Sequence, residues 1–123
     1  MVKSIRDAGP LRTKVYFQAR PLVEDGYGNM VPGGEWETQF NLPDGTWANL
    51  QPMVGSESVQ ASRLQGKQPY LVTVRASSDT RLVNSAWRIV VKNNPDRVLA
   101  ITAPPIEPQP GWLEIIATEG EPS

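Results

Sequence analysis

The sequence predicts a mainly all-β fold, a small antiparallel β-barrel or sandwich of about seven strands with one short helix or loop inserted. Three observations carry that prediction. Twelve prolines and ten glycines are spread through 123 residues, which keeps regular elements short and turns frequent. Stretches of period-two alternation recur, the mark of half-buried strands. Turn-forming clusters separate them at short, fairly even intervals, as in barrels and sandwiches. A chain of this length supports one core, and its 39% of aliphatic and aromatic residues is enough for a modest one.

Taken in order, residues 1–10 read as a flexible arm closed by Gly9-Pro10, followed by a β-domain over 11–118 and a polar tail over 119–123. Arg12 to Arg20 alternates, with Val15, Phe17 and Ala19 on one face, and Pro21 ends it. Glu24 to Asn29 is dense in residues that tolerate positive φ and predicts a hairpin or longer loop, which Pro32-Gly33-Gly34 extends. Glu35 to Leu42 predicts a second strand with Trp36, Thr38, Phe40 and Leu42 on one face. Pro43-Asp44-Gly45 predicts a turn, because proline presets φ and glycine accepts the left-handed position. Thr46 to Met53 is a third strand.

Gly55 to Gly66 is the one helical candidate: Ser56 can cap, Glu57 suits the positive end of the dipole, and Gly66 can stop the helix. Its apolar residues, Val59, Ala61 and Leu64, form no stripe, so two or three turns of helix or a mobile loop is expected, ordering only in an assembly. Tyr70 to Ala76 is rich in β-branched residues and predicts a strand, Ser77 to Ser85 a loop. Trp87 to Lys92 and Arg97 to Ala103 predict a hairpin around a tight turn at Asn93 to Asp96. Pro104 to Gly111 predicts a stiff loop, and Trp112 to Thr118 the last strand.

The composition excludes much chemistry. There is no histidine and no cysteine, which removes the commonest general base, the usual zinc ligands, thiol nucleophiles and disulfides. The nearest carboxylate pairs, Glu24/Asp25 and Glu35/Glu37, read as a solvated turn and an outward strand face. Gly26-Tyr27-Gly28 is too short for a phosphate loop. No catalytic residue, metal site or cofactor is predicted, and the chain does not read as an enzyme. No apolar run approaches the roughly 18 residues that span a bilayer, and Met1 to Pro10 lacks a signal-peptide core, so a soluble protein that starts out in the cytoplasm is expected.

Twelve basic and thirteen acidic residues leave a net charge of −1, a poor basis for wrapping nucleic acid. The charges are segregated, however. Lys3, Arg6, Arg12, Lys14 and Arg20 face only Asp7 in the first twenty residues, and no basic residue follows Arg97. Arg12, Lys14, Arg20, Glu107 and Glu114 are therefore candidate contacts between neighbouring subunits. Trp36, Trp47, Trp87 and Trp112 each sit in or at the start of a strand and are expected to pack in the core or at a subunit interface. A single-stranded nucleic-acid-binding barrel remains an alternative; it needs a basic groove with exposed aromatics.

An ordered series of motifs over about residues 10–118 resembles the phage head–tail joining (head closure, stopper or head-tail adaptor) family. Asp25-Gly26-Tyr27-Gly28-Asn29 is similar to the family's first hairpin, and Glu35-Trp36-Glu37 to its next strand. Trp47-Ala48-Asn49-Leu50-Gln51-Pro52-Met53-Val54-Gly55-Ser56-Glu57 resembles its most distinctive stretch. Leu71-Val72-Thr73-Val74-Arg75, Arg81, and the pair Trp87-Arg88-Ile89-Val90-Val91 and Val98-Leu99-Ala100-Ile101 follow in family order. The long proline-rich segment Pro104 to Gly111 and the extended turn at Pro32 to Gly34 depart from the pattern.

The resemblance implies a virion protein at the head–tail interface, assembled in the host cytoplasm, of an infectious phage or a gene transfer agent. It implies a homo-oligomeric ring of six- or twelvefold symmetry with a portal or adaptor ring on the head side. A tail terminator or tail tube protein lies on the tail side. Packaged DNA passes through without sequence-specific contacts, and no membrane is involved. Gly55, Ser56, Glu57, Arg63, Gly66 and Lys67 fall where the channel-closing segment is expected, and Pro104, Pro105, Pro108 and Pro110 form a candidate partner-facing loop. Another ring component of the connector is the alternative within virus assembly.

Overall fold

The structure, a computed structural model, describes residues 12–120; the predicted arm over 1–10 and the end of the predicted tail, 121–123, lie outside them. Six antiparallel strands close into a barrel. They are β1 (Thr13–Ala19), β5 (Thr46–Pro52), β6 (Gln68–Arg75), β10 (Trp112–Glu119), β8 (Asn94–Ile101) and β7 (Arg88–Val91), and β7 pairs back onto β1. Closure satisfies both edges of every barrel strand, at least in part, without a second sheet. Alternation sets the inside: Val15 and Phe17 of β1, Val72 and Val74 of β6, Ile89 of β7, Leu99 of β8 and Ile115 of β10 are fully buried. Phe40 and Trp87 pack against that core from one end.

The remaining elements hang on this frame. β2 (Leu22–Glu24) and β3 (Met30–Pro32) form a separate two-stranded sheet, β4 (Glu37–Thr38) pairs with β1, and β9 (Ile106–Gln109) pairs with β10. One helix, α1 (Glu57–Leu64), joins β5 to β6, and a 3-10 turn spans Thr80–Leu82. Because all barrel pairings are antiparallel, the connections sort onto two ends. The β2–β3 hairpin, the 39–45 loop, the 76–87 loop and the β9–β10 turn leave one end. The α1 segment, the turn after β7 and both ends of the described chain leave the other.

The structure departs from the sequence expectation at three places. The strand expected over Glu35 to Leu42 shrinks to Glu37–Thr38, paired with Ala19 and Gln18. On that edge β5 already holds Thr13 to Val15, so only the end of β1 is left to pair. Trp36, Thr38 and Phe40 keep the alternation as half-buried residues, but Leu42 is exposed. The tight turn moves forward to Lys92-Asn93, with Val91 opposite Asn94 and Val90 opposite Val98. The unpaired stretch between those registers contains Pro95, which has no N–H to give a ladder. Pro104 to Gly111 is a strand and turn, with Gln109 opposite Trp112 and Ile106 opposite Glu114. Pro108 is accommodated because β9 is an edge strand.

Gly45 shows how the 39–45 loop is held. Its φ is +83°, and a Cβ there would lie 3.2 Å from the Val15 carbonyl oxygen; its N–H donates to the Asn41 carbonyl at 2.6 Å. Gly45→Ala therefore combines a left-handed backbone with a close approach to β1 and is expected to cost about 1–2 kcal/mol. Chemical denaturation of the two forms checks this, and equal midpoints at equal slope would show that the loop relaxes freely.

Candidate functional site

The segment between β5 and β6 forms a capped helix. Ser56 accepts the Val59 N–H at 3.1 Å, Glu57 sits in the first turn and Arg63 in the last. Gly66 follows with φ +82°, the left-handed position that ends helices. The helical branch of the expectation is thus what the fold adopts in the single chain, in place of a disordered loop. Only Val59 is buried. It lies beside Met53, Pro69, Ile116 and Thr118 around a cleft of about 210 Å³. Ile116 and Thr118 alternate with the inward Ile115 and Ala117, so α1 leans on the outer face of the barrel rather than plugging it. Gly55, Ser56, Glu57, Arg63, Gly66 and Lys67 therefore belong to one excursion at one barrel end. Leu64 is 90% exposed, an apolar side chain offered to solvent.

Pro104, Pro105, Pro108 and Pro110 leave the opposite end, on and around β9. This segment is tied down within the chain. Arg81 donates from Nε and an Nη to the two Glu107 carboxylate oxygens at 3.2 and 3.1 Å, and the Gly111 N–H donates to Glu107 at 3.0 Å. The Arg81 hydrogen bonds first, and the Gly111 N–H next, hold the Glu107 carboxyl below the usual carboxylate range. A depressed folded pKa gives stability that is present above the unfolded pKa and lost as pH falls through the folded value. The difference in Tm between the parent and Glu107→Gln should accordingly narrow as pH falls below the unfolded carboxylate value of about 4.3; a gap that stays constant or widens on acidification contradicts the pairing.

The proposed interface charges do not form one patch. Arg12 and Lys14 lie at the end of β1 that faces α1, Arg20 follows the other end, and Glu107 is engaged by Arg81. Glu119 is likewise engaged in the chain: Arg97 donates to its two oxygens at 3.0 and 3.2 Å and to the Tyr70 hydroxyl at 3.1 Å. That cluster ties β6, β8 and β10 together beside α1.

The tryptophans also divide. Trp87 packs on the core. The other three lie toward the surface beneath cations. Arg20 and Arg88 stack on Trp36 at 5.0 and 4.5 Å, Lys14 on Trp47 at 4.9 Å, and Arg75 on Trp112 at 5.0 Å. Burial first, and the charge of Arg20 second, push the Arg88 pKa down. Lys14 pairs across strands with Trp47, and Arg75 with Trp112. Trp47 and Arg75 both line a groove of about 560 Å³ between the 41–46 and 77–80 loops. An alternating row Lys14, Trp47, Arg75, Trp112 thus runs around the outside of four strands. Sequence reasoning missed it. The signal was available in strand parity, since each of the four alternates with an inward residue, but the strand order that aligns them was not.

The second feature missed is the exposure of the hairpin, itself expected around Glu24 to Asn29. Leu22, Val23, Tyr27, Met30 and Val31 are all exposed, and no barrel strand pairs with it. Asp25 shapes its loop by accepting the Tyr27 and Asn29 N–H groups at 2.7 and 3.2 Å. Among the described residues no group of acidic side chains is arranged to hold a metal ion.

The architecture is shared with a virion protein. A chain of the solved structure described as the virion of a native gene transfer agent (GTA) particle superposes with a TM-score of 0.62 at 20% identity. The match covers 90% of this chain and 96% of that one, a likeness of fold. No curated protein matches the chain. The model of the family described as phage head completion protein matches residues 6–120, so the whole barrel, the α1 excursion and the hairpin fall within it, and the chain belongs to the phage head completion protein family.

Proposed function

We propose that this head-associated structural virion protein forms a homo-oligomeric ring beneath the portal, closes the channel after DNA packaging, and presents the docking site for the tail. It acts by shape and contact, without catalysis. The observation that carries the closing role is the excursion between β5 and β6. It projects from a tightly cored barrel, carries left-handed glycines at both ends and is pinned through the single buried side chain Val59. Little burial is what an element needs if it is to change its packing at low cost, and a gate works by populating two packings that differ in partner contacts. Portal or adaptor contacts on one side and tail terminator or tail tube contacts on the other would use the two barrel ends, with α1 at one and the β9 turn at the other. Assembly takes place in the host cytoplasm, and the mature location is the head–tail interface.

Heads assembled without the chain test this reading. They should package DNA, lose it before tails join, and recover tail joining when purified chain is added back. Chain-free heads that keep their DNA and accept tails normally would contradict it.

A further inference from the structure

The end of β10 passes over the point where α1 returns to the barrel. Gly120 has φ +97°, and a Cβ on it would lie 2.6 Å from the Gly66 carbonyl oxygen and 3.3 Å from the Lys67 Cα. Both neighbours are backbone, so only a glycine sits there without displacing them. The strap Glu119-Gly120 therefore rests on Gly66-Lys67, the exit pivot of the excursion. The neck beneath that pivot is fixed separately. Gln68 donates through Nε2 to the Met53 carbonyl at 3.0 Å and to the Pro69 carbonyl at 2.7 Å, bridging the two stems at the base. Above the neck little holds α1. Gly55 and Gly66 each have open space where a Cβ would stand, and Val59 is the one buried side chain of the helix.

Glu119 anchors the strap. It lies opposite Gln68 in the β6–β10 ladder and accepts from Arg97 of β8 at 3.0 and 3.2 Å. We infer that the Arg97–Glu119 pair is a latch on α1. While the pair is closed, Gly120 stays seated on Gly66 and α1 stays on the outer face of the barrel. When it opens, the strap lifts and α1 is freed about its two glycines, with the neck undisturbed. Arg97 and Glu119 keep 34% and 30% of their side-chain surface exposed, so a charge brought by an assembling partner can reach the pair and replace either member. Such an exchange biases a two-state element through contacts that differ between its states. The consequence for the channel rests on the closing role proposed above for α1: the latch holds the helix in its single-chain packing until assembly.

Hydrogen exchange of the purified chain, read by mass spectrometry, tests the latch whether or not α1 closes the channel. Arg97→Met should speed exchange of the amides over residues 59–67 about fivefold, the upper range for losing an exposed pair. The amides of β5 and β6 should keep the parent rate, because local opening leaves the barrel closed. Tryptic cleavage after Arg63 should rise by the same factor, since cleavage of a rapidly opening segment follows its open population. Gly120→Ala leaves the ion pair intact and should act alike by displacing the strap. The exchanged pair Arg97→Glu, Glu119→Arg should return α1 to near the parent rate. An α1 unmoved in both Arg97→Met and Gly120→Ala, or acceleration spread equally over β6, β8 and β10, would overturn the inference. So would an exchanged pair as fast as Arg97→Met, or a parent chain whose α1 amides are unprotected.

Discussion

Replacing Phe17 with alanine is expected to lower the unfolding free energy by about 3–5 kcal/mol, the range for truncating a buried aromatic. Phe17 is fully buried, sits 5.6 Å from the Phe40 ring and lies on β1, the strand that closes the barrel by pairing with β7. The void therefore opens where closure depends on packing from two sides. For a domain of this size the Tm should fall by more than about 10 °C, measured by calorimetry. A loss below about 1 kcal/mol would mean that Phe40 and Trp87 collapse into the space and that the β1–β7 seam is not where the barrel is held.

The second large effect is functional and should leave the fold nearly untouched. The Met53 N–H already donates to the Pro69 carbonyl at 3.0 Å, and Pro52 lies opposite Tyr70. A short turn in place of residues 54–67 can therefore close β5 onto β6 without moving either. What is lost is the burial of Val59 and the cover over Pro69 and Thr118, about 1–3 kcal/mol for one side chain of that size. Particles carrying the shortened chain should lose most of their packaged DNA before tail attachment, read as nuclease-resistant DNA per head. Full retention by such heads would put the gate elsewhere, with Pro104 to Gly111 next in line.

How far the sequence exposes this design depends on whether the determinant is local. β1, β6 and β10 were legible because alternation and β-branched residues are written within each strand. α1 was legible from its ends, since Ser56 and Gly66 act on their own neighbours. β9 was not legible, because Pro108 argues against a strand unless one knows that the position is an edge. The shortening of the Glu35 to Leu42 strand was hidden for a similar reason: how much of β1 remains to pair depends on where β5 lands. The cation–indole row and the uncovered hairpin need the closed strand order before they exist as surfaces at all. Of the candidate site, the α1 segment and the proline loop were found as separate pieces, and only the fold sets them at opposite ends. The segregation of charge along the chain suggested complementary faces on neighbouring subunits, and it gave no sign that Arg81 and Arg97 engage Glu107 and Glu119 within the chain.

Electron cryomicroscopy of the purified chain mixed with its portal complex would reveal directly whether the barrel forms the proposed ring. A ring of this barrel stacked on the portal is expected, with the α1 end of each subunit turned toward the channel. A chain that remains monomeric beside bare portals, or a ring in which every α1 faces away from the lumen, would contradict it.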